Sequence, residues 1–326
     1  MSAVSKPQNE ILMVGAHLAP VIDRLEPEIR VHRYWDAADQ PALLRHIAPR
    51  VRAIATDAFT GASADLMAAL PRLELVANFG VGYDAIDAVY AHQHGITITN
   101  TPDVLNDDVA DLAMALMLAV LRRIPEADRY VRASRWLEQP FPLAQKLTGK
   151  RLGIYGLGRI GKALARRAAG FDLQIGYHGR HQQPGQSQSG QSYQYFDSLL
   201  ALASWCDILV VLVPETPETR GTVNARVLAA LGRYGVLVNV ARGGIVDEPA
   251  LIEALTSATL GGAGLDVYVQ EPAVPPALFK LDNVVLLPHL GSATVDTRAA
   301  MADLVVRNLQ AWFRGDSLLT PVAKPD

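Results

Sequence analysis

The sequence has a single cysteine, Cys206, among its 326 residues. That excludes a disulfide framework and a thiolate metal cluster within the chain. Cys206 directly precedes the apolar run at residues 208–213, the setting of a buried structural thiol. Long hydrophobic runs are missing too: the longest, at residues 113–121, is far short of the ~20 residues that span a bilayer. The first ten residues are polar and lack the apolar core of a secretory signal. These absences predict a soluble, cytoplasmic protein with no membrane partner. Basic charge is not in surplus, with 30 Lys and Arg against 33 Asp and Glu and a formal net charge of −3. No Lys/Arg-rich run could neutralise a phosphate backbone, so nucleic acid is not an expected partner. The histidines lack ligand spacing and no metal site is expected; His92 and His94, in a helical stretch, read as a solvated pair.

What is present is a globular composition, 50% apolar and 19% charged, in a chain long enough for two domains. The first hundred residues alternate short apolar runs at 11–14, 53–56, 73–77 and 96–99 with helical stretches, which predicts a small parallel α/β sheet. A helix with one apolar face is expected from Thr101-Pro102-Asp103 onward, through Leu105, Val109, Leu112, Leu116 and Val120. Acidic residues at 103, 107 and 108 would suit its N-terminus. From Lys150 the apolar runs become nearly continuous, at 152–155, 173–177, 208–213, 236–240 and 284–287, as in strands buried on both faces of a parallel sheet. Helical stretches such as 162–169 and 248–256 separate most of them, which is the pattern of a doubly wound nucleotide-binding domain. Residues 182–194, rich in Gln, Ser and Gly, read as a flexible surface loop. A last amphipathic helix carries Leu304, Val305, Leu309 and Trp312.

Gly156-Leu157-Gly158-Arg159-Ile160-Gly161 matches G-x-G-x-x-G between a predicted strand and a predicted helix. Glycines there let the backbone turn tightly and approach a pyrophosphate at the helix N-terminus, while the third lets the helix pack close. An NAD-type site would place an acid after the second strand, on the ribose 2′-hydroxyl. This strand ends instead in His178-Gly179-Arg180-His181, and the nearest acid, Asp172, precedes it. An arginine flanked by histidines suits a 2′-phosphate. NADP(H) is therefore the preferred cofactor, with NAD(H) possible.

Three further segments fall at strand ends: Asn239-Val240-Ala241-Arg242-Gly243-Gly244, then Asp266 with Glu271-Pro272, then Pro288-His289-Leu290-Gly291-Ser292. Ligands of open parallel sheets bind at those carboxyl ends. His289 is the candidate to exchange a proton with a carbonyl or alkoxide oxygen, Glu271 to orient its imidazole and favour the charged form, and Arg242 to grip a carboxylate. Any one of them has a dull explanation, as a salt bridge, a solvated acid or a helix cap. Their order beside a dinucleotide fingerprint is what argues for chemistry.

Together with Asn78-Phe79-Gly80-Val81-Gly82-Tyr83-Asp84, Asn100-Thr101-Pro102 and Pro214-Glu215-Thr216-Pro217-Glu218-Thr219, these segments resemble the D-isomer-specific 2-hydroxyacid dehydrogenase family over nearly the whole chain. The resemblance implies a doubly wound parallel-sheet (Rossmann) cofactor domain, residues 100–289, inserted into a smaller flavodoxin-like substrate domain, residues 1–99 and 290–326, with a cleft that closes over the ligands. It implies catalysis by Arg242, Glu271 and His289, with backbone amides around Val81 and Gly82 joining Arg242 and His289 at the substrate. It implies a cofactor surface of residues 156–161 and 178–181, Val213 and Pro214 on the adenosine side, Thr219, Val240, Ala241, Gly291 and Ser292, and Asp266 at the nicotinamide carboxamide. The likeness is greatest to NADPH-dependent glyoxylate/hydroxypyruvate reductases. Phosphoglycerate dehydrogenases fit less well without the NAD-type acid, and formate dehydrogenases carry Gln where this chain has Glu271. The implied activity is reduction of a short 2-oxoacid to the 2-hydroxyacid. Alternatives are a reductase of a bulkier 2-oxoacid, of phenylpyruvate or 2-ketoaldonate type, and a dinucleotide-sensing binding protein of the same fold. A homodimer is expected, paired through the cofactor domain along the helix near Asp103 and the segment after it, with Trp136 or Phe141 as candidates to line the partner's active site.

Overall fold

The computed structural model describes residues 9–25, 29–183 and 193–323. The chain forms two compact units, one of residues 1–105 and 294–326, the other of residues 106–293.

The first unit holds five parallel strands, β1 (Asn9–Met13), β2 (Ile29–Arg33), β3 (Ala53–Asp57), β4 (Leu75–Phe79) and β5 (Thr97–Thr99), in the order β2-β1-β3-β4-β5. That is the flavodoxin-like order. Every residue of β3 and β4 is buried, because helices cover both faces. The helices are α1 (Ala19–Leu25), α2 (Gln40–Ile47), α3 (Ala64–Ala68), α4 (Ala88–Gln93) and the C-terminal helix Val295–Arg314, which packs on α1 and β4 through Met301, Val305 and Leu309. Asp39, Ser63 and Asp87 start α2, α3 and α4 by accepting first-turn amides.

The second unit is a seven-stranded parallel sheet: β6 (Arg151–Tyr155), β7 (Gln174–His178), β8 (Gln194–Tyr195), β9 (Ile208–Val211), β10 (Val236–Asn239), β11 (Gly262–Leu265) and β12 (Val284–Leu286). Its order, β12-β11-β10-β9-β6-β7-β8, reverses direction at β6, as a doubly wound Rossmann domain requires. Helices α5 (Asn106–Leu121) and α7 (Arg159–Ala169) pack together, as do α8 (Leu199–Trp205), α9 (Ala225–Leu231) and α10 (Glu248–Thr256), while α6 (Ile124–Arg132) follows α5.

The structure corrects some sequence expectations. The helix expected from residue 101 begins at Asn106; Asp103 follows Pro102 with a left-handed φ of 70° and belongs to the turn. Asp107 and Asp111 are in the helix, and their carboxylates pair with Arg166 and Arg167 of α7. Two edge strands were not expected: β2, whose sequence is broken by Arg30, His32 and Arg33, and β8, two residues long. β8 also includes Gln194, the end of the Gln/Ser-rich stretch read as a loop; residues 184–192 of that stretch lie outside the described residues. His92 and His94 are both exposed, as expected, and His94 in addition caps α4 and stacks on Tyr90 at 3.9 Å. Cys206 is buried, and that burial pushes its thiol up to about 12, leaving a neutral packing group. Among the described residues no helix is long and apolar enough to cross a membrane.

Asp207 ties the turn before β9 to the start of β6, accepting from the Arg151 amide at 2.8 Å and from its guanidinium at 2.9 Å. Burial pushes this carboxyl up, but the two kinds of Arg151 donor and its charge outweigh that and hold it below the ordinary aspartate value. A lowered folded-state value stabilises the protein above the unfolded pKa, and the benefit is lost as pH falls through the folded one. Asp207→Ala should therefore cost about 1–2 kcal/mol near neutral pH. The gap to the parent protein should close on acidification below the ordinary aspartate range, as read from denaturant midpoints across pH.

Candidate active site

The glycine loop after β6 divides three tasks among three residues. Gly156 has φ 106°, and a side chain there would meet the Leu212–Val213 peptide, with atoms at 2.9 Å. Gly161, inside α7, would drive a Cβ to 2.3 Å from the Gly156 carbonyl oxygen, so the helix can sit on the loop only without one. Gly158 caps α7 and faces open space, with nothing within 4 Å of a would-be Cβ. Leu157 anchors the loop in the core, and Arg159, Ile160 and Gly161 open an 11-residue helix. Backbone amides at a bare helix N-terminus fit a diphosphate, and these residues therefore fit a dinucleotide.

At the end of β7, His178 stacks on Tyr155 with centroids 5.7 Å apart, and its Nδ1 donates to the Phe196 carbonyl at 2.9 Å. A carbonyl can only accept, so this contact fixes the proton on Nδ1 and leaves Nε2 as the other ring nitrogen. A side chain at Gly179 would meet nothing within 4 Å among the described residues, and Arg180 and His181 are exposed. The Glu218 carboxyl lies below its ordinary value, through the Thr216 side-chain hydrogen bond first and also through the charge of Arg180, which places Arg180 near that loop. Asp172 sits before β7 at a left-handed φ of 57°, at the strand's far end. Among the described residues, none of those directly after β7, Gly179 to Gln183, is acidic.

The loop after β9 is pinned by Thr219, whose hydroxyl donates to the Pro214 carbonyl at 2.7 Å and accepts from the Thr216 amide at 2.8 Å; Val213 lies against Gly156. After β10, Asn239 accepts from the Ala241 amide and donates to the Arg242 carbonyl, closing a turn over Val240 and Ala241. Arg242 leaves that turn half-buried, with its guanidinium donating to the Ala241 carbonyl at 2.7 Å.

The ends of β11 and β12 bring together the residues that matter most. His289 Nδ1 lies 2.6 Å from Glu271 Oε2, and Oε1 of the same carboxylate accepts from the Tyr268 amide at 2.9 Å. Burial pushes Glu271 up; the bonds from His289 and Tyr268, and the charges of His289 and Arg242, more than reverse this, so its carboxylate is held below the ordinary glutamate value. His289 has φ 55°, a left-handed conformation that a side chain with a Cβ adopts at a cost. Asp266, which has no exposed surface, surrounds it: its carbonyl accepts from the His289 amide at 2.9 Å, Oδ1 from Leu290 at 2.6 Å and Oδ2 from Gly291 at 2.9 Å. Ser292 follows, half-buried. The bracing role of Asp266 was not read from the sequence. An acid a fixed distance before an H-x-G segment is the only signal for it, and that signal does not reveal the hydrogen bonds.

Val81 and Gly82 belong to the first unit, in the half-exposed loop that follows β4. Sequence reasoning overlooked their neighbours: Asn78 and Asn100, and Arg298, half-buried with its guanidinium 5.5 Å from the Phe79 ring. Of the two aromatics expected near a partner, Trp136 is 68% exposed whereas Phe141 packs edge-on against Tyr130.

A doubly wound sheet with this glycine loop at its reversal point is a dinucleotide-binding domain, here joined to a second, flavodoxin-like unit. Residues 114–291 match the model of the D-isomer specific 2-hydroxyacid dehydrogenase, NAD binding domain. The chain is 51% identical to hydroxyphenylpyruvate reductase of Plectranthus scutellarioides, and 49% identical to glyoxylate/hydroxypyruvate reductase A of Arabidopsis thaliana, in each case over 96% of this chain and 98% of the relative. The crystal structure of an NADPH-dependent glyoxylate/hydroxypyruvate reductase from Sinorhizobium meliloti, in complex with NADP and malonate, superimposes with a TM-score of 0.90 at 46% identity, covering 97% of each chain. The chain belongs to the D-isomer specific 2-hydroxyacid dehydrogenase family.

Asp266→Asn keeps the side chain's shape but turns an amide group toward Leu290 or Gly291, leaving a buried donor without an acceptor at a cost of about 1–3 kcal/mol. For a domain of this size that is a fall in thermal midpoint of roughly 2–4 °C per kcal/mol, measurable by calorimetry.

Proposed function

We propose that this protein reduces a short 2-oxoacid, of the glyoxylate or hydroxypyruvate class, to the 2-hydroxyacid with NADPH. The observation that carries the proposal is the 2.6 Å contact between His289 and Glu271 at the carboxyl edge of a dinucleotide-binding sheet. Nicotinamide in its reduced form supplies a hydride to the carbonyl carbon when bound. The glycine loop at residues 156–161 holds the diphosphate, and Val213, Pro214, Thr219, Val240, Ala241, Gly291 and Ser292 contribute the rest of the cofactor surface, with Asp266 near the carboxamide. Arg242 grips the substrate carboxylate and polarises the carbonyl. His289 gives a proton to the carbonyl oxygen, and Glu271, ionised through the neutral range, holds Nδ1 so that Nε2 is the acid. The amides of Val81 and Gly82 are further receivers of the carboxylate.

His178, Gly179, Arg180 and His181 are assigned to the 2′-phosphate, on the ground that a cation and two imidazoles stand where an NAD-type acid would. A second reading, reduction of an aromatic 2-oxoacid such as hydroxyphenylpyruvate, is favoured by the 51% identity to the Plectranthus enzyme. We further infer that two copies pair through the segment after α6. Trp136, Leu137 and Leu143 there are 68%, 90% and 99% exposed, more apolar surface than a solvated segment of a monomer would carry.

Initial rates with glyoxylate, hydroxypyruvate, pyruvate and hydroxyphenylpyruvate, each with NADPH and NADH, test the proposal, and no turnover of any of them would end it. His289→Ala should lower turnover by about 10² or more with cofactor binding retained. Arg180→Ala should lower kcat/KM for NADPH by about tenfold or more while leaving that for NADH nearly unchanged, as expected from losing a charged contact to a phosphate. Equal losses with both cofactors would remove the assignment of Arg180.

A further inference from the structure

The loop at residues 80–82 is held entirely by its carbonyls. Asn78, 1% exposed, donates through Nδ2 to the Gly80 carbonyl at 3.1 Å and to the Gly82 carbonyl at 2.8 Å. Asn100 donates through Nδ2 to the Val81 carbonyl at 2.9 Å, and the Thr101 amide adds a bond to the Gly80 carbonyl at 3.0 Å. All three carbonyl oxygens are therefore turned toward protein donors. The amides of Val81 and Gly82 donate to no acceptor among the described residues, and both residues are half-exposed. A run of peptides whose carbonyls are all taken up on one side presents its N–H dipoles on the other, which is the electrostatics of an anion receptor. The cation of Arg298 stands over Phe79, the residue just before the loop.

We propose that Asn78 and Asn100 are positioning residues, which aim the amides of Val81 and Gly82 at a substrate carboxylate by holding the carbonyls of residues 80–82. This deepens the reading of the chain as an oxoacid reductase and rests on it. Without the carboxamides, a peptide of this loop is free to rotate and offer a carbonyl oxygen where the ligand requires an N–H. Substrate affinity then depends on two side chains that never touch the substrate.

The test uses Asn78→Leu and Asn100→Leu, neutral replacements of similar size without donors, assayed as holoenzyme with saturating NADPH beside the parent protein. KM for the best oxoacid, and the Kd of oxalate measured by calorimetry, should each rise tenfold or more for Asn78→Leu and by less for Asn100→Leu. Turnover at saturation should stay within threefold, with the Kd of NADPH unchanged. A folded variant with unchanged KM and oxalate Kd, or one losing turnover at constant KM, overturns the inference. If Asn78→Leu fails to fold, Asn100→Leu decides by the same readouts. If the parent protein reduces no oxoacid, the proposed function has failed by itself. Oxalate binding then decides for the loop: weaker binding by the variants supports it as a carboxylate receptor, and equal binding overturns that role.

Discussion

The parallel alignment of β6, β7, β9, β10, β11 and β12 is the constraint on which the second unit depends. Because every strand runs the same way, every loop that leaves a carboxyl end emerges on one edge of the sheet. Residues 156–161, 179–181, 213–219, 240–244, 266–271 and 287–291 all follow a strand in this way. The ladder is fixed by burial on both faces of its central strands, where Ile208, Leu209, Val210, Leu237 and Val238 have no exposed surface. Each such side chain contributes about 1.5–3 kcal/mol on transfer from water. The precision of the site thus comes from apolar packing some distance from it. The polar loops need only short local bonds, such as those of Asn239 and Thr219, to finish their shape.

The clearest case of that division is His289. A left-handed backbone at a residue with a Cβ costs roughly 1–2 kcal/mol. The three bonds that Asp266 accepts, from residues 289, 290 and 291, are together sufficient to offset it, at about 0.5–1.5 kcal/mol net for an ordinary bond and more to a charged group. Asp266 directly follows β11, so the sheet places the brace, the brace sets the backbone, and the backbone turns the imidazole toward Glu271. The same logic operates in the first unit, where β4 ends at Phe79 and Asn78 reaches past it to hold the loop at 80–82. In both places a buried polar side chain near a strand's carboxyl end shapes the next loop.

Much of this was legible in the sequence, because it is local. Continuous apolar runs marked β6, β9 and β10, and the glycine spacing marked the turn from β6 into α7. Strand-end placement singled out Arg242, Glu271 and His289, of which Glu271 and His289 lie in hydrogen-bond contact. What escaped depends on partners distant in sequence. β2 alternates weakly and is stabilised as an edge by its register with β1; β8 is two residues that exist only by pairing with β7. The start of α5 is displaced to Asn106 by the left-handed turn at Asp103, which no apolar period records. Asn78 and Asn100 are 22 residues apart and act on one loop, and Asp266 reads as an isolated acid until β12 is laid beside β11.

The two carboxyls beside His289 show how environment separates roles that composition cannot. Asp266 is fully buried, and burial raises its pKa despite two backbone amides and the nearby imidazole; the charge of Glu271 adds to the rise. Glu271 is also pushed up by burial, but it is only partly enclosed, and the imidazole, the Tyr268 amide and the Arg242 charge bring it below its ordinary value. Like charges near one another are costly together, and one of the two groups has more to offset that cost. That group is Glu271, which faces the imidazole side chain, whereas Asp266 faces the backbone. A proton on Asp266 would remove a buried charge without altering the charge that His289 sees first. A proton on Glu271 would leave the imidazole geometry in place and remove its counter-charge. The acid limb of a rate profile would therefore report Glu271 as a loss of turnover, while protonating Asp266, whose value burial raises, relieves a buried charge and would appear as a gain of stability.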